Sequence, residues 1–320
     1  MKVAILGGTG FVGQYLVDAL VRQGDTPRVL IRHIPKQMPM AGDQVEWFAG
    51  NIEDNNSIRM LLKDVDAVIY NIGILRAFPE QGITFEKLQY RGVVKTAALA
   101  REMGIKRFIL MSANGIDHKL TPYQKTKVAA EENLKHSQLD WTIFRPSVIF
   151  GNPRGRQEFA SMLKKEIIDP PLPAPLFYEG LIPHEPGGFK LSPVHVEDVA
   201  QAFAKSLTKQ ETIGKTYTLG GPEDLSWRTI LRLIAQANSK EKLMLPVPTF
   251  APSMVAMLLD RYSWFPISRD QIRMLTKGNI CRGDEIYKLC SIDPKSFCPE
   301  TIQYLNSEYK ATEDDTAPAC

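Results

Sequence analysis

Apolar positions recur along this chain in two periods. Over the first 150 residues, short runs rich in β-branched residues (KVAIL, RVLIR, DAVIYNIG, KRFILMS and WTIFRPSVIF) alternate with stretches whose apolar positions repeat at helical spacing. That alternation is a βαβ series. Val3 to Leu6 and Ala67 to Tyr70 are apolar at every position, which implies strands buried on both faces and therefore a parallel sheet. The expected fold is α/β, a doubly wound parallel sheet with a smaller, mostly helical C-terminal domain.

After Phe150 the pattern changes. Asp169 to Gly188, DPPLPAPLFYEGLIPHEPGG, is too rich in proline and glycine for long regular structure and reads as a loop. SPVHVEDVAQAFAKSL reads as a strand then a helix, and KTYTLGGPEDLSWRTILRLIAQA as a strand, a turn and an amphipathic helix. The sheet domain is expected over 1–150, with 190–222 returning to it. The substrate and lid domain then falls over 151–189 and 223–307, and a disordered tail over 308–320, where apolar periodicity ceases. Phe250 to Leu259, FAPSMVAMLL, is too short to span a bilayer and reads as a core helix.

Composition narrows the function classes. Lys+Arg number 39 against 36 Asp+Glu, a formal charge of +3, and neither sign forms a block, so no nucleic-acid partner is expected. Cys281, Cys290, Cys298 and Cys320 lack CxxC spacing, which suits neither a zinc site nor a disulfide framework; free thiols in a reducing compartment are expected. His33, His118, His136 and His184 form no metal-ligand spacing, and no metal is expected. His195 alternates with Val194 and Val196 and reads as structural, with Glu197 or Asp198 able to cap the helix that follows. The first strand follows Met1 directly, without an export signal, so a cytoplasmic location is expected.

The chemistry begins at VAILGGTGFVGQYLVDAL, which sets Gly7, Gly10 and Gly13 between the first strand and the first helix. Gly7 permits the tight turn, Gly10 lets backbone approach a pyrophosphate, and Gly13 allows close helix packing, while free N–H groups at the helix start face the anion. Thr9, Phe11 and Val12 lie between them as further contacts. The second strand ends RVLIRHIPK, with Arg32 and Lys36 and no carboxylate, which favours a 2′-phosphate and hence NADP(H) over NAD(H). Asn51, Ile52, Asn71 and Gly73 are further cofactor candidates. So are Pro146, Ser147 and Val148, because Pro146 cannot donate a ladder bond and marks where the chain leaves the sheet.

In the helix that contains YQKTK, Tyr123, Lys127, Ala130 and Leu134 form one stripe. The other face, with Gln124, Lys125, Glu131, Glu132 and Lys135, reads as solvated, and Glu131 and Lys135 form an i,i+4 pair. A lysine on a buried stripe is costly unless it has a partner or a cavity, so Tyr123 and Lys127 are candidates for a cleft. Ser112 and Asn114 share one strand face, and either can hydrogen-bond a substrate oxygen, although Ala113 interrupts the run.

GGTGFVG, YQKTK, FRPSVIFG and PVHVEDVA, in this order, resemble the extended and atypical branch of the short-chain dehydrogenase/reductase superfamily of Rossmann proteins, over most of the chain to about Pro222. MSANGID, LGGPEDLSWRTIL and FPISRDQIRMLTKGN are most similar to the alpha-subcomplex subunit 9 proteins of respiratory complex I. The resemblance implies Tyr123 as general acid or base, and Lys127 as the residue that binds nicotinamide ribose and lowers the phenol's pKa. Two positions depart from the branch: Asn114 stands third in its usual serine or threonine run, and Gln89 stands where it usually has asparagine.

The leading expectation is an NADP(H) oxidoreductase for an apolar carbonyl or quinone-like substrate, with Phe177 and Tyr178 lining its lip beneath the proline-rich lid. The competing one is a nucleotide-binding structural or assembly subunit with little turnover, associated with a membrane complex or peripheral at a membrane surface. A sugar-nucleotide epimerase is a third class, for which the chain carries no sugar-nucleotide signature.

Overall fold

The structure, a computed structural model, describes residues 1–32, 44–118, 121–250 and 274–306. In chain order the first elements are β1 (Lys2–Leu6), α1 (Phe11–Arg22), β2 (Thr26–Ile31), β3 (Glu46–Ala49), α2 (Asn55–Leu62) and β4 (Ala67–Tyr70). A π-helical turn over Glu86–Arg91 leads into α3 (Gly92–Glu102), followed by β5 (Arg107–Met111), α4 (Pro122–Lys135), β6 (Asp140–Pro146) and β7 (Ile149–Phe150). Then come α5 (Phe159–Leu163), β8 (Ala174–Tyr178), β9 (Lys190–Leu191), β10 (Val194–His195), α6 (Val196–Ser206) and β11 (Lys215–Leu219). The last are β12 (Leu225–Ser226), α7 (Trp227–Ala237), β13 (Met244–Pro248) and α8 (Asp284–Cys290). Lys36, the tail over 308–320 and the apolar run beyond Phe250 lie outside the described residues.

The chain forms two compact units, the first made of 1–146, 196–219 and 284–293. Its seven strands run in the order β11-β6-β5-β4-β1-β2-β3, every neighbouring pair parallel. Strand order reverses between β1 and β4, the place where a doubly wound sheet opens a crevice at its carboxyl edge. Val3 to Leu6 of β1 and all of β4 are buried, as their unbroken apolar runs predict. β3, EWFA, escapes sequence reading: it is a four-residue edge strand, largely half-exposed, and Glu46 is spent on Lys2 and Arg28. The single run WTIFRPSVIF breaks at Pro146 into β6 and β7, because proline has no N–H to continue the ladder. α8 was assigned from sequence to the smaller domain. It belongs to the first unit, where Lys205 Nζ on α6 donates to the Cys290 and Ser291 carbonyls at 3.0 and 3.1 Å.

The second unit is made of 147–195, 220–283 and 294–320, and its described part carries α5, α7 and the two-stranded sheets β7–β10, β9–β12 and β8–β13. Trp227 is fully buried at its centre, its indole Nε1 donating to the Pro175 carbonyl at 2.9 Å. The stretch over Asp169 to Gly188, read as a loop, contains β8, which pairs in parallel with β13. Prolines at 175, 246 and 248 are tolerated because each strand has only one neighbour. Cys281 and Cys290 are free thiols, whereas Cys298 is disulfide-bonded, which corrects the expectation of four free cysteines. Among the described residues no helix is long and apolar enough to cross a membrane, and no cluster of His, Cys, Asp and Glu could hold a metal ion.

Candidate dinucleotide and active site

The glycine turn joins β1 to α1 at the carboxyl edge of the sheet. Gly7 has φ +95°, a left-handed conformation, and a Cβ there would stand 2.9 Å from the Asn71 carbonyl carbon and oxygen. A Cβ on Gly13 would collide with the Gly7 carbonyl oxygen, so only glycine lets α1 come this close to the turn. Gly10 differs: a Cβ there would meet the Gly7 oxygen at 3.4 Å and nothing else within 4 Å. Gly10 caps α1 without a side chain, and the first turn of the helix holds no acidic residue, so its N–H groups face an open, electropositive space. These features fit a dinucleotide pyrophosphate. Gly8, which the glycine triplet passes over, is as constrained: a Cβ there would lie 2.6 Å from Val29 Cγ1.

Around the turn, Asn71 Nδ2 donates to the Gly7 carbonyl at 3.4 Å, and Phe11 packs edge-on against Tyr15 with ring centres 6.0 Å apart. Thr9 and Val12 are half-buried beside them. Arg32 is exposed just past the end of β2. Asn51 is exposed and uses its Oδ1 to accept from Glu53 N, while Ile52 packs against the core.

α4 is set by a capping box: Thr121 Oγ1 accepts from Gln124 N at 3.2 Å, Gln124 Oε1 accepts from Thr121 N at 3.1 Å, and Pro122 occupies the first turn. Gln124 Nε2 also donates to the Gly115 carbonyl at 2.8 Å, holding the segment after β5 against the helix. Lys127 is buried, and its Nζ donates to the Met111 carbonyl at 2.8 Å. Burial lowers the Lys127 pKa to about 8, against the opposing pull of Glu131. Tyr123 is half-buried and meets Phe85 edge-on at 5.8 Å; burial alone raises its phenol to about 12. The lowered phenol pKa implied by the family resemblance is therefore corrected, because desolvation governs the hydroxyl and the ammonium is engaged with backbone.

The solvated face assigned to α4 is corrected at two positions. Gln124 is buried in the capping box. Glu131 is completely buried, and both its oxygens accept from Arg145 on β6, at 2.9 Å from Nε and 2.7 Å from Nη2. The i,i+4 pair with Lys135 is present but long, at 4.0 Å.

Ser112 is buried and its Oγ has no hydrogen-bond partner. Buried hydroxyls are rarely left so, which makes Ser112 a donor held in reserve next to the Lys127 contact. Asn114 N donates to the Pro146 carbonyl at 2.9 Å, tying the ends of β5 and β6 together. Gln89, buried in the π-helical turn, donates to the Ile74 carbonyl at 2.7 Å and accepts from Thr126 at 3.4 Å. Gly73 is exposed, and a Cβ there would lie 3.8 Å from Lys127 Nζ. Gly73 and the Met111 carbonyl, the latter one residue before Ser112, thus both lie at the Lys127 ammonium.

Ser147 and Val148 fall in the second unit, where Ser147 Oγ donates to the Asn279 carbonyl at 2.8 Å and the Val148 carbonyl accepts from Val194 N at 3.0 Å. Phe177 does not line a lip: it is only 7% exposed and stacks on Trp227 with ring centres 6.1 Å apart. Tyr178 is half-buried at the end of β8.

A parallel sheet of this order, with a glycine turn over its first crossover, defines a dinucleotide-binding Rossmann protein. The chain belongs to the NAD(P)H-binding family, whose profile matches residues 7–167. It is 31% identical over 295 residues to the mitochondrial NADH dehydrogenase [ubiquinone] 1 alpha subcomplex subunit 9 of Arabidopsis thaliana, covering 88% of this chain and 70% of that protein. It is 25% identical over 262 residues to the ceramide reductase of Caulobacter vibrioides, covering 82% of this chain and 78% of that protein. In fold it is similar to the NAD complex of Thermus thermophilus UDP-glucose 4-epimerase, with a TM-score of 0.71 at 18% identity over 95% of this chain and 97% of that one.

Proposed function

We propose that the protein is an NADP(H)-dependent reductase of an apolar carbonyl or quinone-like substrate, with Tyr123 as proton donor. The observation that carries this reading is the buried Lys127 ammonium bound to the Met111 carbonyl, one residue before the partnerless Ser112 hydroxyl and one helical turn after Tyr123. A phenol with a pKa near 12 keeps its proton at neutral pH, so Tyr123 is a donor in the direction of reduction rather than a base for oxidation. The Ser112 hydroxyl, without a partner of its own, hydrogen-bonds the substrate oxygen and stabilises charge as it develops there. Lys127, protonated below about pH 8, offers its ammonium to the ribose and adds positive potential at the same point. The cofactor, when bound, supplies the hydride. Arg32, exposed just past β2, pairs with the 2′-phosphate. The reductase among the relatives supports a long, apolar substrate.

A second reading, a nucleotide-holding subunit or assembly factor of a membrane complex with little turnover, draws support from the complex I relative and from Asn114, whose backbone is tied to β6 where a catalytic hydroxyl would be useful.

The test is stopped-flow NADPH oxidation against a panel of quinones and hydrophobic aldehydes and ketones, beside equilibrium titration of the nucleotide. Turnover of one panel member that Tyr123→Phe abolishes supports the reductase. Tight NADPH binding with no turnover across the panel supports the subunit and overturns the reductase.

A further inference from the structure

A groove in the described part of the second unit has no role in this chemistry. It has a volume of 460 Å³ and runs along the outer face of α7 to the start of β13. Arg228 and Arg232 stand one helical turn apart on that face, both exposed, and Lys240 and Lys242 follow on the segment leading to β13. The floor is apolar: Leu176 and Ala235 are buried and Met244 is half-buried. A volume of this order suits a single small ligand.

The charge along the rim is unbalanced. Among the described residues Glu241 is the one carboxylate lining the groove. Asp169, nearby, is already shared between Lys240 and Lys164 at 2.7 Å each. Arg232 makes no hydrogen bond or ion pair among the described residues, and Arg228 uses one nitrogen on the Pro186 carbonyl at 2.9 Å. Lys242 donates to the Ile168 carbonyl at 3.0 Å and to that of Pro170; partial burial and the neighbouring Lys240 press its pKa downward against the pull of Asp169. Cations gathered closely enough to disfavour one another call for an anion.

Apolar surface continues past the rim. Leu243 is 65% exposed and Leu245 46% exposed, and the Leu243 carbonyl accepts from Ala174 N at 2.8 Å, two residues after Leu172, which is 70% exposed. Leu243 thus stands in water in the same groove as Arg232, with Leu172 exposed just before β8 and Leu245 exposed on β13.

We infer that this groove binds a phosphate-bearing amphiphile, its phosphate held between Arg228, Arg232 and Lys242 and its acyl portion laid over Leu176, Met244 and Leu243. A phosphate takes two planar guanidinium forks at once, which suits two arginines at i and i+4. A hydrophilic sugar phosphate would leave the floor and Leu243 in water, and a neutral lipid would leave Arg232 uncompensated. Only a ligand with both parts meets both demands.

The experiment is calorimetric titration of the full chain, saturated with NADPH so that the phosphate loop is occupied, with three probes. These are dihexanoyl phosphatidic acid below its micelle concentration, inorganic phosphate, and zwitterionic dihexanoyl phosphatidylcholine. Saturable binding of phosphatidic acid is expected, with inorganic phosphate and phosphatidylcholine each at least about tenfold weaker, because each lacks one half of the recognition. Arg228→Ala combined with Arg232→Ala, both exposed on the helix surface, should weaken phosphatidic acid at least about tenfold at an unchanged melting temperature. Inorganic phosphate binding as tightly as phosphatidic acid would overturn the amphiphile and leave a simple anion site. Wild-type affinity in the double variant, or no saturable binding of phosphatidic acid, would overturn the site altogether.

Discussion

The Lys127 ammonium donates to the Met111 carbonyl oxygen at 2.8 Å, one residue before the partnerless hydroxyl of Ser112. The bond ties the second turn of α4 to the end of β5, one helical turn beyond Tyr123, the proposed proton donor. Tyr123→Phe keeps the ring and its edge contact with Phe85. It should cost about 10² to 10⁴ in turnover, the usual worth of a positioned acid, with NADPH affinity nearly unchanged. Lys127→Met keeps the apolar stem but loses the donor, and should weaken nucleotide binding and turnover together. Stopped-flow and fluorescence titration separate the two patterns; Tyr123→Phe turnover at the wild-type rate would sink the assignment.

Gly10 and Gly13 make opposite demands. Gly10→Val should leave a cooperatively folding protein that no longer binds NADPH, because the added side chain enters open space that the pyrophosphate needs. Gly13→Ala should lower the melting temperature before any ligand is added, since its Cβ collides with the Gly7 backbone, which cannot give way. Calorimetry with and without NADPH checks both, and unchanged affinity in a folded Gly10→Val variant would refute the phosphate loop.

Arg32→Ala should weaken NADPH by about 1 to 3 kcal/mol, the range of a charge-assisted hydrogen bond, and barely change NADH. Equal titration curves for the two nucleotides in the wild type would remove the basis for a 2′-phosphate site.

Glu158 caps α5, accepting from Ala160 N at 2.6 Å and from Ser161 N, and burial raises its carboxyl to about 7. The folded chain therefore holds this proton more tightly than the unfolded chain, whose glutamates titrate near 4.5. Its stabilising contribution is complete below about pH 4.5 and is lost as pH rises through about 7. Melting temperatures of Glu158→Gln measured from pH 5 to 8 should fall less than those of the wild type, and parallel curves would contradict the shift.

What the sequence made legible was local. The glycine turn declares itself because its spacing, its strand and its helix all lie within eighteen residues. YQKTK was readable because a lysine on an apolar stripe needs a reason. The i,i+4 neighbour Lys135 is legible, but the burial of Glu131 is not, because its closer partner Arg145 arrives from β6 by a pairing no helical period encodes. Phe177 was misread in the same way: prolines around it suggested a loop, and only Trp227, fifty residues later, makes it core. Ser112 stood out as a residue type but not as an unsatisfied hydroxyl, since satisfaction is a property of everything folded around it.

The chain passes between its two units five times, after residues 146, 195, 219, 283 and 293. During synthesis, then, the first unit lacks its outermost strand until β11 emerges, and α8 only after Cys290. The core of the second unit draws on Phe297, Ile302 and Leu305, later still. Domains usually fold in turn as they leave the ribosome, N-terminal first. Here each unit takes its last element from the end of the chain, so neither core is complete until almost all of the protein has been made.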